Sequence, residues 1–183
     1  QNKIWPAEDG LTDDDIYWGT MLSIAEMLKT GTTCFADMYF AMNRVADAVE
    51  ETGIRAALSR GLTGFSDENY AKLEENAALF KERHNSAGGR IHVMLGPHAP
   101  YTCSVEYLKN VIAKAQQLGS EIHIHLCETK GEVDNCIKEH GMSPIKLMDS
   151  LGMFECGTLA AHSVHVDEED MAIMAAKHVR VAH

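Results

Sequence analysis

Apolar residues along the chain occur in short runs that alternate with longer segments of helical periodicity. Each run has the β-rich composition of a buried strand, and Gly or Pro residues bound several of them. The six predicted strands are TTCFADMY (32–39), IRAALSRG (54–61), IHVMLG (91–96), EIHIHLC (121–127), GTLAAH (157–162) and HVRVAH (178–183). The alternation predicts an α/β protein built from parallel βαβ units.

The segments between the strands predict helices, some with recognisable ends. They cover residues 12–30, 42–52, 68–86 and 104–118, one or two helices within 130–151, and a helix after Asp167. We expect Thr12 or Asp13 to cap the first helix, Ser104 to cap the fourth, and Asp167 to cap the last. Glycines directly after three of these segments predict where the helices end.

Two architectures fit this pattern. A doubly wound sheet would be complete in 183 residues, whereas a (β/α)₈ barrel needs eight units and about 250 residues. No GxGxxG or P-loop follows a strand, and polar residues gather where several strands end, as in barrel enzymes. We therefore predict a partial (β/α)₈ TIM-type barrel with about six of eight units. Residues 1–183 would form one incomplete catalytic barrel domain.

The ends of the sequence fit that prediction. Gln1 is not an initiator methionine, and His183 falls within the sixth predicted strand. We therefore expect the chain to be a piece of a longer protein.

Composition narrows the classes of function. Sixteen Lys and Arg against 27 Asp and Glu give a net charge of −11, which argues against a nucleic-acid partner. No apolar run approaches the roughly 20 residues that span a bilayer, so no membrane partner is expected. The five cysteines form no CxxC pair, and we expect a reducing, cytoplasmic location.

The stretch HIHLCET (123–129) carries the strongest chemical signal. Side chains alternate along a strand, so His123 and His125 share one face, with His125 nearer the carboxyl end. Glu128 follows the strand and could reach over a group held by His125. Neutral imidazole is a common metal ligand, and a nearby carboxylate can move protons to and from water. The alternative is a pair of hydrogen-bonded core histidines beside a helix-start glutamate.

Three other strand ends carry candidate functional residues. His162 closes the run TLAAH, and His98 lies between two prolines in GPHAPYTCS, where the loop is conformationally restricted. Arg60 ends IRAALSR and could bind an anionic group or pair with a nearby carboxylate. A rigid surface loop is the alternative interpretation for His98.

Four segments in order, GTTCFADMYF, GPHAPYTCS, HIHLCETKGEV and TLAAHSVHVDEED, resemble the amidohydrolase superfamily. Within it they look most like the 5-methylthioadenosine/S-adenosylhomocysteine deaminases, with triazine chlorohydrolases and guanine deaminase as relatives. The resemblance implies a distorted (β/α)₈ barrel that holds one divalent metal, zinc foremost, with iron or manganese as alternatives. It also implies a small-molecule nucleoside substrate, and it leaves homo-oligomerisation open.

The resemblance assigns roles to individual residues. His125 would be a metal ligand, Glu128 a proton shuttle that also contacts the purine ring, and His162 a group that orients the attacking water. His98 would contact the substrate. Glu8, in WPAEDGL, matches a glutamate that binds the ribose hydroxyls, and this set implies hydrolytic deamination of S-adenosylhomocysteine or 5-methylthioadenosine to the inosyl product and ammonia.

Two further basic residues are placed by the same resemblance. Arg60 matches an arginine on the substrate side. Lys72 falls near a position where some relatives carry a second arginine, and it could meet the substrate's carboxylate as a point charge.

The sequence also departs from the family pattern. The HxH pair of the first strand and the aspartate of the eighth are not in this sequence, which leaves His125 as one of four expected ligands. We therefore expect the chain alone to bind metal weakly and to be inactive. Two alternatives stay open: a chlorohydrolase or other aminohydrolase acting on guanine or a triazine, and a non-catalytic binding or scaffold module.

Overall fold

Strand pairing follows the order of the chain. The computed structural model describes residues 3–183 apart from the side chain of Trp5, so residues 1 and 2 of the predicted domain lie outside the described residues. The strands are β1 (Cys34–Tyr39), β2 (Arg55–Leu62), β3 (Ile91–Val93), β4 (Gly96–Pro97), β5 (Ile122–Leu126), β6 (Thr158–His162) and β7 (Arg180–Ala182). All pairs are parallel: β1 with β2, β2 with β3 and β4, β5 with β6, and β6 with β7.

A bridge at Leu95 joins the two groups of strands into one arc. The Leu95 N–H donates to the Glu121 carbonyl at 3.0 Å, and the His123 N–H donates to the Leu95 carbonyl at 2.9 Å. The strand order therefore runs without the reversal that a doubly wound sheet requires, which favours the barrel.

The predicted third strand is interrupted. The Met94 N–H still bonds to the Leu58 carbonyl of β2, but the next residue, Leu95, pairs with β5 instead. The chain then returns to β2 at Gly96, where a Cβ atom would lie 2.7 Å from the Arg60 carbonyl oxygen. Only glycine permits that approach, and it places His98 beside the end of β2.

Helices fill the connections between strands. They are α1 (Ile4–Glu8), α2 (Asp13–Thr30), α3 (Met42–Thr52), α4 (Ala71–Arg83), α5 (Ser86–Gly89), α6 (Val105–Leu118), α7 (Lys130–His140), α8 (Pro144–Ser150) and α9 (Glu168–Ala176). Thr12, Ser104 and Asp167 accept hydrogen bonds from first-turn N–H groups, which confirms these predicted caps.

One predicted helix begins later than its sequence pattern indicates. Helix α4 starts at Ala71 rather than residue 68, because Asn69 and Tyr70 have φ values of 54° and 58°. The Asp67 carboxylate accepts from the Lys72 and Leu73 N–H groups at 2.7 and 3.2 Å, so the start is fixed by this carboxylate.

Alternation along β5 separates the packed face of the sheet from the polar one. Ile122, Ile124 and Leu126 are fully buried in the core that includes α6. His123 and His125 point to the opposite face, which confirms that the two histidines lie together. No helix within residues 3–183 is long and apolar enough to cross a membrane.

Candidate active site at the carboxyl ends of the strands

Three histidines from three consecutive strand ends lie together. The ring centroids of His98 and His125 are 4.9 Å apart, and those of His125 and His162 are 5.3 Å apart at 26°. A Glu128 carboxylate oxygen lies 3.7 Å from Nε2 of His162. Because the strands are parallel and in sequence order, their carboxyl ends meet at one edge of the sheet. The structure thus brings together four of the six predicted site residues.

The tautomer of His125 follows from its hydrogen bond. Its Nδ1 lies 2.8 Å from the carbonyl oxygen of His98, and a carbonyl oxygen only accepts. The neutral ring therefore carries its proton on Nδ1 and presents the Nε2 lone pair. This is the arrangement that orients a metal-binding histidine in other proteins.

His123 forms the layer beneath His125. Its side chain is buried, and its Nδ1 lies 3.4 Å from the Ser59 hydroxyl of β2. Burial, with added repulsion from His125 and His162, lowers the pKa of His123 to about 4. The ring is therefore neutral at physiological pH, and it supports the layer above it without adding charge.

The loop after β4 fixes His98. The Thr102 hydroxyl donates to the Ala99 carbonyl at 3.1 Å, so it accepts from Nδ1 of His98 at 3.0 Å. This leaves Nε2 of His98 with a lone pair. Burial and the neighbouring His125 lower the pKa of His98 against the opposing charge of Glu128, so the ring favours its neutral form.

Three non-glycine residues at these strand ends have a left-handed backbone conformation. Cys127, His162 and Ser163 have φ values of 54°, 71° and 52°, a region that non-glycine residues seldom occupy. Such conformations persist where surrounding contacts enforce them, and they are common at functional sites. Here they turn the chain sharply after β5 and β6.

The other predicted site residues have different neighbours. Glu8 accepts a hydrogen bond from the Tyr39 hydroxyl. Arg60 donates to Glu75 of α4 at 2.8 Å. The Lys72 ammonium donates to the Thr63 and Ser66 hydroxyls at 2.9 and 2.7 Å. Among residues 3–183, neither Glu8 nor Arg60 forms a hydrogen bond or an ion pair with the histidine cluster.

Two residues at the site were missed from the sequence. Thr102 holds His98, and Glu132 accepts hydrogen bonds from the backbone N–H groups of Cys127 and Glu128. The capping-box spacing of Thr129 and Glu132 was a visible signal for the second of them. From the sequence, a helix-start role was considered only for Glu128, as the alternative to its catalytic role, and no role was assigned to Glu132.

The described residues fit a metal ion only in part. The free Nε2 of His125 suits one coordination position, but residues 3–183 contain no group of three or more His, Cys, Asp or Glu side chains placed to hold an ion. Zinc requires three or four protein ligands. His125 therefore fits as one ligand of a metal ion, and the described residues do not supply the two or three others that zinc requires.

Comparison with known proteins identifies the family. A sequence profile of the amidohydrolase family matches residues 4–183, and the chain belongs to that family, as its motifs predicted. It is 53% identical over 181 residues to the 5-methylthioadenosine/S-adenosylhomocysteine deaminase of Desulforudis audaxviator (strain MP104C), covering 99% of this chain and 42% of that relative. The corresponding deaminase of Pelotomaculum thermopropionicum is 51% identical with the same coverage. The chain thus spans about 42% of the length of these curated relatives.

Solved structures confirm the predicted fold class. An adenosine deaminase from Xanthomonas campestris with bound zinc superposes with a TM-score of 0.91 at 28% identity, covering all of this chain and 42% of that one. Guanine deaminase from C. acetobutylicum gives 0.84 at 19% identity, covering 98% and 46%. Atrazine chlorohydrolase from Arthrobacter aurescens TC1, complexed with zinc, gives 0.83 at 20% identity, covering 98% and 44%.

Proposed function

We propose that the protein containing this chain is a metal-dependent hydrolase that deaminates an adenine nucleoside, S-adenosylhomocysteine or 5-methylthioadenosine. The observation that carries the proposal is the cluster at the strand ends, where His125 presents a free Nε2 beside Glu128 and His162. The names of relatives 53% and 51% identical to the chain support the nucleoside substrate.

A divalent cation fits the imidazole of His125. Zinc is the first candidate because structural neighbours contain it, with iron and manganese as alternatives. When bound, the cation would lower the pKa of water far enough to supply a nucleophile at neutral pH. Its remaining ligands would come from beyond residues 3–183.

Glu128 would carry out proton transfer in the reaction. Glu128 takes one proton from the attacking water and delivers it to a ring nitrogen beside the carbon that bears the amine. A carbon–oxygen bond forms at that carbon while the ring nitrogen gains its proton. The water's second proton passes to the amine, the carbon–nitrogen bond breaks, and ammonia leaves with the inosyl product. Water supplies both protons, so no further reactant is needed.

The histidines would set the direction of attack. Nε2 of His162 lies on the Glu128 side of the cluster and would hold the attacking oxygen in line. His98, with Nε2 unprotonated and the ring fixed by Thr102, would contact the bound base.

Glu8 and Arg60 would bind the parts of the substrate that lie outside the base. Glu8 would bind the ribose hydroxyls and Arg60 would lie on the side of the homocysteine carboxylate. Their current partners, Tyr39 and Glu75, would then share or release them when substrate binds. A flat triazine has neither ribose nor carboxylate, which is why these residues favour a nucleoside over a chlorotriazine.

Substrate profiling of the full-length protein tests the proposal. We expect ammonia release from S-adenosylhomocysteine or 5-methylthioadenosine with kcat/KM at least about a hundredfold above that for guanine or a chlorotriazine. Preferential hydrolysis of the chlorotriazine would establish the chlorohydrolase alternative instead. No turnover of any of the four compounds by zinc-loaded protein would contradict the proposal.

A further inference from the structure

Glu132, at the start of α7, has an unusual environment for a carboxylate. Its side chain is only 7% exposed, and within residues 3–183 it forms no ion pair. Instead, one oxygen accepts from the Cys127 N–H at 3.0 Å and the other from the Glu128 N–H at 2.9 Å. Two hydrogen bonds to an ionised acceptor, together with the helix N-terminus, compensate the buried charge.

These two hydrogen bonds hold a backbone turn that is strained on its own. Cys127 has φ of 54°, which a residue with a Cβ atom adopts only when its surroundings require it. The Glu132 carboxylate bridges the N–H groups of Cys127 and Glu128, which lie on either side of the Cys127 Cα atom. This bridge fixes the direction in which the Glu128 side chain leaves the strand end.

The same turn is tied to the end of β6. The Leu126 carbonyl accepts from the Ser163 N–H at 2.9 Å, and the Cys127 carbonyl accepts from the Val164 and His165 N–H groups at 3.1 and 2.9 Å. Ser163 directly follows His162. The position of the Glu128 backbone is therefore coupled, through three hydrogen bonds, to the backbone that carries His162.

We propose that Glu132 is a positioning residue, which holds Glu128 against His162 by clamping the N–H groups of Cys127 and Glu128. The inference rests on the proposed function, because it assigns to Glu128 the proton transfers of the deamination. It adds a residue that touches neither substrate nor metal. Its effect on turnover is transmitted entirely through the backbone of the strand-end turn.

The test is a double-mutant cycle in the full-length, metal-loaded protein with S-adenosylhomocysteine. Glu132→Gln keeps the size of the side chain but replaces one acceptor oxygen with an NH₂ group, which faces a backbone N–H and cannot accept from it. We expect kcat to fall about 10- to 100-fold with KM changed less than about threefold, because a misplacement of about 1 Å can cost a hundredfold. Glu139→Gln, the same substitution at an exposed position of α7, should leave kcat unchanged within about twofold.

The Glu128→Gln background separates positioning from general damage. If Glu132 acts through Glu128, adding Glu132→Gln to Glu128→Gln should slow turnover no further than about twofold. Independent, multiplicative losses in the double variant would overturn the inference, as would wild-type kcat in Glu132→Gln alone. Wild-type turnover in Glu128→Gln would instead overturn the proposed function, and the inference with it.

A second variant keeps the test decisive if Glu132→Gln does not fold. Glu132→Asp retains the charge and the helix-start position but withdraws the carboxylate by one methylene group. We expect an intermediate loss of kcat, about three- to tenfold, with KM unchanged. Wild-type kcat in Glu132→Asp would overturn the clamp.

Discussion

At the amino ends of the strands, Glu121 accepts a hydrogen bond from His92 at 2.8 Å and another from Arg180 at 2.5 Å. At the carboxyl ends, His98 and His125 each bond through Nδ1 to a neutral oxygen and keep Nε2 free. The ionisable residues at the amino ends pair with one another. The histidines at the carboxyl ends are held in place by the protein and left with unused nitrogen lone pairs.

This difference separates stabilising residues from reactive ones. A histidine paired with a carboxylate has little capacity left for a ligand, whereas a histidine fixed by a carbonyl or hydroxyl presents its second nitrogen to whatever enters the site. Burial alone would not have distinguished the two ends, because both contain partly buried histidines.

Among the substitutions that compare the two ends, the largest effect is expected from replacing one histidine at each end. His125→Gln in the full-length protein should lower kcat/KM by more than about a hundredfold and reduce the amount of bound metal. Substituting a residue that only supports a metal ligand already lowers metal affinity or activity about 10- to 100-fold. His92→Gln at the amino end should leave kcat/KM within about twofold. Kinetic assays and metal analysis of both variants would measure this, and equal losses would abolish the distinction between the ends.

A smaller effect is expected from loosening His98. Thr102→Val preserves side-chain shape but removes the hydroxyl that accepts from Nδ1 of His98. We expect kcat/KM to fall about tenfold through lost orientation and an unsatisfied donor. Thr30→Val, which removes an exposed hydroxyl from α2, is the matched control and should have no effect on kcat/KM. Unchanged steady-state kinetics in Thr102→Val would show that His98 needs no such support.

At the amino end, the prediction concerns stability rather than activity. Burial acts to raise the pKa of Glu121. Hydrogen bonds from Arg180 and His92 outweigh this effect and hold the pKa below its ordinary value of 4.5. The stabilisation is therefore fully present above that ordinary value and is lost as pH falls through the lowered pKa of the folded state. Glu121→Gln should reduce the free energy of unfolding by about 1 kcal/mol or less at neutral pH, with kcat unchanged.

Urea unfolding of wild type and Glu121→Gln across this pH range measures that contribution. The two stabilities should converge as the pH falls through the lowered pKa of Glu121 in the folded state, because the wild-type carboxylate then becomes protonated. A stability difference that grows as pH falls would contradict the assignment of Glu121 to the ion network.

The smallest effect is expected from a charge near the site that takes no part in it. Lys130 on α7 forms an exposed pair with Asp134, one helical turn along, at 3.0 Å. Lys130→Met should change the free energy of unfolding by about 0.3 kcal/mol and leave kcat/KM unchanged. A large loss of activity, measured beside the unfolding curve, would mean that charge anywhere near this edge affects turnover.

Much of this arrangement follows from sequence pattern alone. Alternation placed His123 and His125 on one face, and residue types at segment ends located the caps at Thr12, Ser104 and Asp167. Parallel strands in order then required the strand-end residues to meet at one edge. These features depend on local periodicity, which a single sequence contains.

The remaining features depend on contacts between distant segments. The chain pairs with β2 at Met94 and with β5 at Leu95, and no local sequence pattern indicates this change. The pairing of Arg60 with Glu75 on α4 likewise has no local signature. Glu132 carried the spacing of a helix cap, yet its carboxylate reaches backward to the strand end rather than to the cap residue. That choice is decided by the strained turn at Cys127, which only the folded chain reveals.

The most direct test of the account is the turnover of Glu128→Gln in the full-length, metal-loaded protein, with substrate affinity measured alongside. The account predicts that S-adenosylhomocysteine still binds within about threefold of wild type, while formation of the inosyl product falls by about a thousandfold or more. A Glu128→Gln protein that binds and deaminates at near wild-type rates would remove the proton transfers from this edge of the sheet. The contrast between the two ends of the strands would then lose its functional meaning.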